Sequence, residues 1–150
     1  MRVHTRTRAA GFTLVEIMIV VAIIALIAAI AIPNFLRARV NANESSAIAS
    51  TRVLIGAVES FRSNQTPNTY PANLAALNAA NPPYIDAVLA GGTKQGYTLT
   101  YTFQTANTYT LSAAPVTANV TGVRGFFVDQ TGVIRVANPA PATVASPALD

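Results

Sequence analysis

Between Phe12 and Ile32 the chain reads FTLVEIMIVVAIIALIAAIAI, and Glu16 is the one ionisable residue in that run. A carboxylate at the centre of a bilayer costs roughly 2.5 to 3.5 kcal/mol on insertion scales, so it needs a partner unless it lies near enough to a helix end to reach the headgroups. Thr13, the other polar interruption, can hydrogen-bond backbone within its own helix. No catalytic constellation accompanies Glu16. The single histidine, His4, stands among the first residues, and the other carboxylates, Glu44, Glu59, Asp86, Asp129 and Asp150, are scattered singly. There is no cysteine, and no glycine-rich phosphate loop follows a strand pattern. No enzymatic activity and no cofactor are therefore expected. A calcium site would need several clustered oxygen ligands, and Asp129 stands nearly alone, with Asp86 distant and Asp150 at the end. Tyr97, Tyr101, Phe103 and Tyr109 alternate as the inner face of a sheet would.

The 150 residues allow one small domain with an appendage. Only 11% of them are charged and 51% are hydrophobic, so something other than a globular surface absorbs apolar residues. The formal charge of +4 points at first to a nucleic-acid binder. Three of the ten basic residues, however, are Arg2, Arg6 and Arg8, and without them seven basic residues face six acidic ones. That near-neutral remainder lacks the footprint that drives phosphate binding, so nucleic acid is not an expected partner.

As a helix, Phe12 to Ile32 spans roughly 30 Å, the thickness of a bilayer core. A secretory signal peptide has a shorter apolar core, followed by its small-residue cleavage site. Here the order is reversed: Gly11 lies between the basic stretch MRVHTRTRAAG and the apolar run, so a cut there leaves the hydrophobic segment on the mature chain. The arginines hold that end in the cytoplasm and orient the remainder outward. Ala22, Ala25 and Ala29 form a small-residue stripe that lets helices approach closely. Pro33 removes a hydrogen bond to the carbonyl of Ala29, and a kink or melted stretch is expected there.

A short basic leader ending in Gly11, then Phe12, Thr13, Leu14, Val15 and Glu16 opening a long apolar helix, resembles the class III signal of type IV pilins and type II secretion pseudopilins. The resemblance covers about the first third of the chain. It implies cleavage after Gly11 by a prepilin peptidase, methylation of the new amine on Phe12 by the same enzyme, and pairing of Glu16 with the N-terminal amine of a neighbouring subunit. It also implies local unwinding around Pro33 in filaments. The implied function is a structural subunit of a pilus-like filament, with identical or homologous subunits as partners, polymerised by an assembly ATPase and an inner-membrane platform protein. The alternatives are a type II secretion pseudopilin and a minor tip pilin that captures a surface or DNA. The precursor is then a single-pass inner-membrane protein with its leader in the cytoplasm, and the filament is extracellular or periplasmic.

Beyond the span, Leu36, Val40, Ala47, Leu54, Val58 and Phe61 recur at spacings of three, four and seven, which predicts a helix over residues 34–62. Arg37, Arg39, Glu44, Arg52, Glu59 and Arg62 fall mostly on faces left to water or to neighbours, with Glu59 and Arg62 able to pair at i, i+3. Residues 63–96, rich in Asn, Pro, Ala and Gly, read as a loop holding a short helix at 72–78 and a turn at 85–89. From Tyr97 the period switches to two, giving strands at 97–103 and 109–113, then a pair at 125–129 and 133–136 joined through Gly132. The expected fold is α+β: a leader over 1–11, a membrane and filament-core helix over 12–33, an extracytoplasmic domain over 34–137 with a sheet of about four strands at 97–136, and a disordered proline-rich tail over 138–150.

The reversed order of leader, glycine and apolar run generates a direct expectation. Intact-mass measurement of the mature chain should show loss of eleven leader residues and one added methyl group, and Gly11→Val should leave an uncut precursor in the membrane. A mature chain starting beyond the apolar run would sink this reading.

Overall fold

A computed structural model describes residues 11–149. Five antiparallel strands form one sheet in the order β1 (Thr93–Lys94), β2 (Tyr97–Thr105), β3 (Thr108–Pro115), β4 (Gly125–Asp129) and β5 (Arg135–Ala137). They follow a long helix, α1 (Leu14–Ser63), and two short ones, α2 (Leu74–Asn78) and α3 (Ala87–Ala90). The chain divides into two units at Leu36 and Arg37: the apolar part of α1, and a domain in which the remainder of α1 packs on the sheet.

Within the domain, period-two patterning does the sorting. Tyr97 and Leu99 on β2, Tyr109, Leu111 and Ala113 on β3, and Phe126 and Val128 on β4 are buried, while Thr98, Thr100 and Thr102 face solvent. Across β2 and β3 the register sets Leu99 opposite Ala113 and Tyr101 opposite Leu111. The α1 residues Ala47, Leu54, Ala57 and Val58 close the core from above, joined by Tyr70, Leu74, Leu77, Ile85 and Leu89 from the connecting segment. The short helices start where a side chain caps them: Asn73 Oδ1 accepts from Ala76 N at 2.9 Å and Asp86 Oδ1 from Leu89 N at 2.7 Å.

Two glycines are fixed by geometry. Gly132 takes φ +72° in the β4–β5 turn, as expected. Gly122 lies so close to Tyr97 that a Cβ there would sit 2.1 Å from the phenol oxygen.

Several expectations are corrected. The sheet gains a strand, because Thr93–Lys94, inside the region read as loop, pairs with β2 after a positive-φ turn at Gln95 and Gly96. The last strand is Arg135–Ala137 rather than 133–136. Helix α1 runs without a break through Pro33, so no melted stretch is present; the proline costs one hydrogen bond and the turns around it hold the remainder. The apolar stripe begins later than expected, since Leu36 is exposed and Val40 half-buried.

The tail is the largest correction. Val136 N donates to Pro147 O at 2.9 Å and Leu149 N to Ile134 O at 2.7 Å, so the segment folds back as a strand-like edge along β5. Ala142 is buried, Leu149 packs against the core, and Ala140 sits against Gly125. Proline-rich composition hid this, because pairing needs only two free N–H groups, not an apolar period. A chain ending at Ala145 should lose about 1 to 3 kcal/mol, from two backbone hydrogen bonds and the Leu149 contact. Thermal unfolding of the detergent-solubilised chain by circular dichroism measures this, and an unchanged midpoint would mean that the tail only rests on the sheet.

Candidate functional site

The first turn of α1 organises the residues singled out in the sequence. Thr13 precedes the helix, and its carbonyl accepts the first helical bond, from Ile17 N at 3.3 Å. Its hydroxyl accepts from Glu16 N at 3.2 Å, while Glu16 Oε2 accepts from both the backbone N–H and the hydroxyl of Thr13, each at 3.2 Å. This is a reciprocal capping box: Thr13 is the cap, and Glu16, three residues on, turns back to it. The pattern T-x-x-E was present in the sequence as a capping signal and went unread. Negative charge in the first turn also complements the helix dipole.

Gly11 and Phe12 lie outside the helix, on its N-terminal side. The peptide bond between them is free of the helical ladder. Residues 1–10 of the expected leader, with His4 and its arginines, lie outside the described residues.

Among the described residues one helix is long and apolar enough to cross a membrane, and none of its most apolar window is buried within the chain. Phe12 is 82% exposed, and Ile19, Ile23, Leu26 and Ile30 are all more than half exposed. Pro33 lies near the end of this surface.

The domain holds two polar clusters that sequence reading missed. Glu44, expected to face solvent or a neighbour, is 4% exposed. Its Oε1 accepts from the backbone N–H groups of Val123 at 2.9 Å and Arg124 at 3.0 Å, and its Oε2 from Arg124 Nε at 2.6 Å. Asn43 adds a bond to Thr121 O, and the Tyr97 phenol donates to Arg124 O at 2.8 Å. Burial, with the Glu44 charge nearby, pushes that phenol up to about 12, so it stays a donor. The signal was there: Glu44 sits four residues after Val40 and three before Ala47, on the apolar stripe itself. In the second cluster Glu59 and Arg62 meet through Tyr70 rather than directly: Tyr70 Oη donates to Glu59 at 2.8 Å and accepts from Arg62 Nη1 at 3.2 Å. Arg62 also reaches Asn107 at the β2–β3 turn.

Two of the carboxylates considered for calcium, Asp129 and Asp86, have other duties, and Asp150 lies outside the described residues. Asp129 accepts from the N–H and hydroxyl of Thr131, and Asp86 caps α3. Among the described residues no group of three or more His, Cys, Asp or Glu side chains is placed to hold a metal.

The family described as the prokaryotic N-terminal methylation motif matches residues 6–32. The type IV major pilin protein PilA of Myxococcus xanthus is 48% identical over 64 residues, which is 43% of this chain and 28% of that protein. The type IV wide pilus major component PilA4 of Thermus thermophilus is 44% identical over 69 residues, 46% of this chain and 51% of that protein. The aligned region thus spans about half or less of the curated relatives' length. No solved structure matches. The chain carries a prepilin-type methylation motif on an α+β fold, and over part of its length it is similar to type IV major pilins.

Burial pushes the Glu44 carboxyl up, but the bonds from Arg124 N, Val123 N and the Arg124 side chain outweigh it, and the net direction is downward. A depressed native value contributes stability above the ordinary value of 4.5, and that contribution is lost as pH falls through the lower native value. Glu44→Gln should cost about 2 to 4 kcal/mol at neutral pH, because Arg124 and two N–H groups lose a charged acceptor. It should also flatten the acid limb of the stability profile below pH 4.5, read by denaturant titration at several pH values; an unchanged acid limb would rule out this clamp.

Proposed function

We propose that this chain is a structural subunit of a type IV pilus-like filament, polymerised through its N-terminal helix. The observation that carries this is the conjunction at one helix start of a methylation motif, an unhelical Gly11–Phe12 bond, the Thr13–Glu16 box and an apolar surface with no partner among the described residues. The relatives named as major pilins favour a pilus over a secretion pseudopilus.

The leader stays cytoplasmic, prepilin peptidase cuts after Gly11 and methylates the amine of Phe12, and the subunit waits in the inner membrane as a single-pass protein. An assembly ATPase and a platform protein then extract it into the filament, which emerges from the envelope. Leaving lipid, the apolar surface must be covered by the helices of identical subunits, since water would expose it at roughly 25 cal/mol per Å². Pro33, one hydrogen bond short, marks where the helix yields most readily in that packing. The buried amine of Phe12 carries a charge, and an unpaired charge in such a core costs several kcal/mol. Glu16, the only acid in the span, answers it from an adjacent subunit and selects one axial register.

The capping box sharpens the test, because glutamine at the third helical position can also close the box. Glu16→Ala removes cap and charge together, whereas Glu16→Gln keeps the cap and removes the charge. Both should give cleaved, membrane-held monomer with few filaments, measured as sheared extracellular protein against the membrane pool. Normal filament yield from Glu16→Gln would show that the cap matters and the charge pair does not.

A further inference from the structure

The two edges of the sheet are treated differently. The β5 edge is closed by the chain's own tail through the bonds at Val136 and Leu149. The β2 edge is closed only at its start, by β1 opposite Tyr97 and Thr98 and by Gly92 O, which accepts from Leu99 N at 2.7 Å. N–H and C=O groups alternate sides along an antiparallel strand, so Tyr101 and Phe103 point theirs the same way as Leu99. Strand β1 ends at Lys94, and no group among the described residues bonds the outward backbone of Tyr101 or Phe103.

Natural edges of this kind are blunted by charge, proline or a covering segment. Over Thr100–Gln104 there is neither charge nor proline, no described residue bonds the outward backbone, and the sequence has no charged residue between Lys94 and Arg124. Thr100, Thr102 and Gln104 are exposed, and Phe103 is 40% exposed. A register shift between Phe103 and Thr105 ends the open stretch.

We propose that this edge pairs with the same edge of a second copy of the chain, antiparallel about Thr102, and joins subunits of two neighbouring filaments. The segment is self-complementary under that operation. Tyr101 of one copy meets Phe103 of the other, aromatic against aromatic, on one face; Thr102 meets Thr102 and Thr100 meets Gln104 on the other. The outward N–H and C=O groups of Tyr101 and Phe103 find partners in both copies. A contact of this type is isologous and needs a two-fold axis, whereas subunits along one filament are related head to tail, so the pairing links filaments and does not build them. Five residues a side bury far less than the roughly 1,200 Å² of a stable complex, so free subunits stay apart while filaments presenting many copies associate through multivalency.

The inference rests on the filament reading, and the experiment separates the two. Filaments of the full chain are sheared, total filament is read by high-speed pelleting, and lateral association by low-speed pelleting and electron microscopy. Thr102→Lys and Thr102→Glu, each on an exposed side chain, should leave filament yield and the thermal midpoint unchanged. Each alone should lower the laterally associated fraction about tenfold, because like charges then face each other across the two-fold axis. Mixing the two kinds of filament at low salt should restore it. Filaments that never associate, a lysine variant that associates like the unchanged chain, or a mixture that stays dispersed each overturns the pairing. Absence of filaments in the unchanged chain overturns the filament reading itself, and the pairing with it.

Discussion

A helix whose first half finds no partner among the described residues must be covered by something else, and that constraint governs this molecule. From Leu14 to Ile32 the side chains of α1 are apolar apart from Glu16, and nearly all of them are exposed. Lipid satisfies them, and so do other helices of the same kind; water does not. The polar groups that interrupt this surface, Thr13 and Glu16, are gathered at its end, where they close the first turn on each other. One acid is thereby kept on an apolar helix without an orphaned donor beside it.

Past Arg37 the same helix obeys a different rule. It presents a stripe of Ala47, Thr51, Leu54 and Val58 to the sheet and leaves Arg37, Arg39 and Arg52 exposed. Glu44 opens this buried stripe and, next to Asn43 on Thr121 O, fastens the helix to the connection between β3 and β4. Desolvation alone would push that carboxyl's pKa up. Two backbone N–H groups and a guanidinium keep it ionised, and the ring of Phe126, 5.8 Å beneath the guanidinium, steadies Arg124. The close seat of Gly122 on Tyr97 and the phenol bond to Arg124 O complete the fastening of this loop.

Most of the fold was legible because its periods are clean. The apolar run, the helical spacing from Ala47 to Val58 and the alternation of tyrosine with threonine each point to one structure. What escaped reading was polar or conformationally irregular. Glu44 was assigned to solvent by its charge although its spacing placed it on the buried stripe. The pairing of Glu59 with Arg62 required Tyr70, eleven and eight residues away, which no local rule supplies. The tail looked formless because prolines break periodicity, yet Pro147 needs only its carbonyl to accept from Val136. At the candidate site Gly11, Phe12, Thr13 and Glu16 stand out by type and order, while the T-x-x-E signal for closure of Thr13 and Glu16 into a box is recognised only once the backbone is in view.

The hydrogen bonds of Glu44 join residues 79 and 80 positions apart along the chain. For a pull applied along α1 from its N-terminal side, they are therefore among the first ties to the sheet that carry load, ahead of the apolar contacts from Ala47 onward. Glu44 reaches the chain just ahead of β4, and β4 is flanked by β3 and β5, so the tension passes into an interior strand and not into an edge that can be peeled. The clasp that settles a buried charge at rest would, were this chain pulled along α1, be the rivet that spreads force over the sheet.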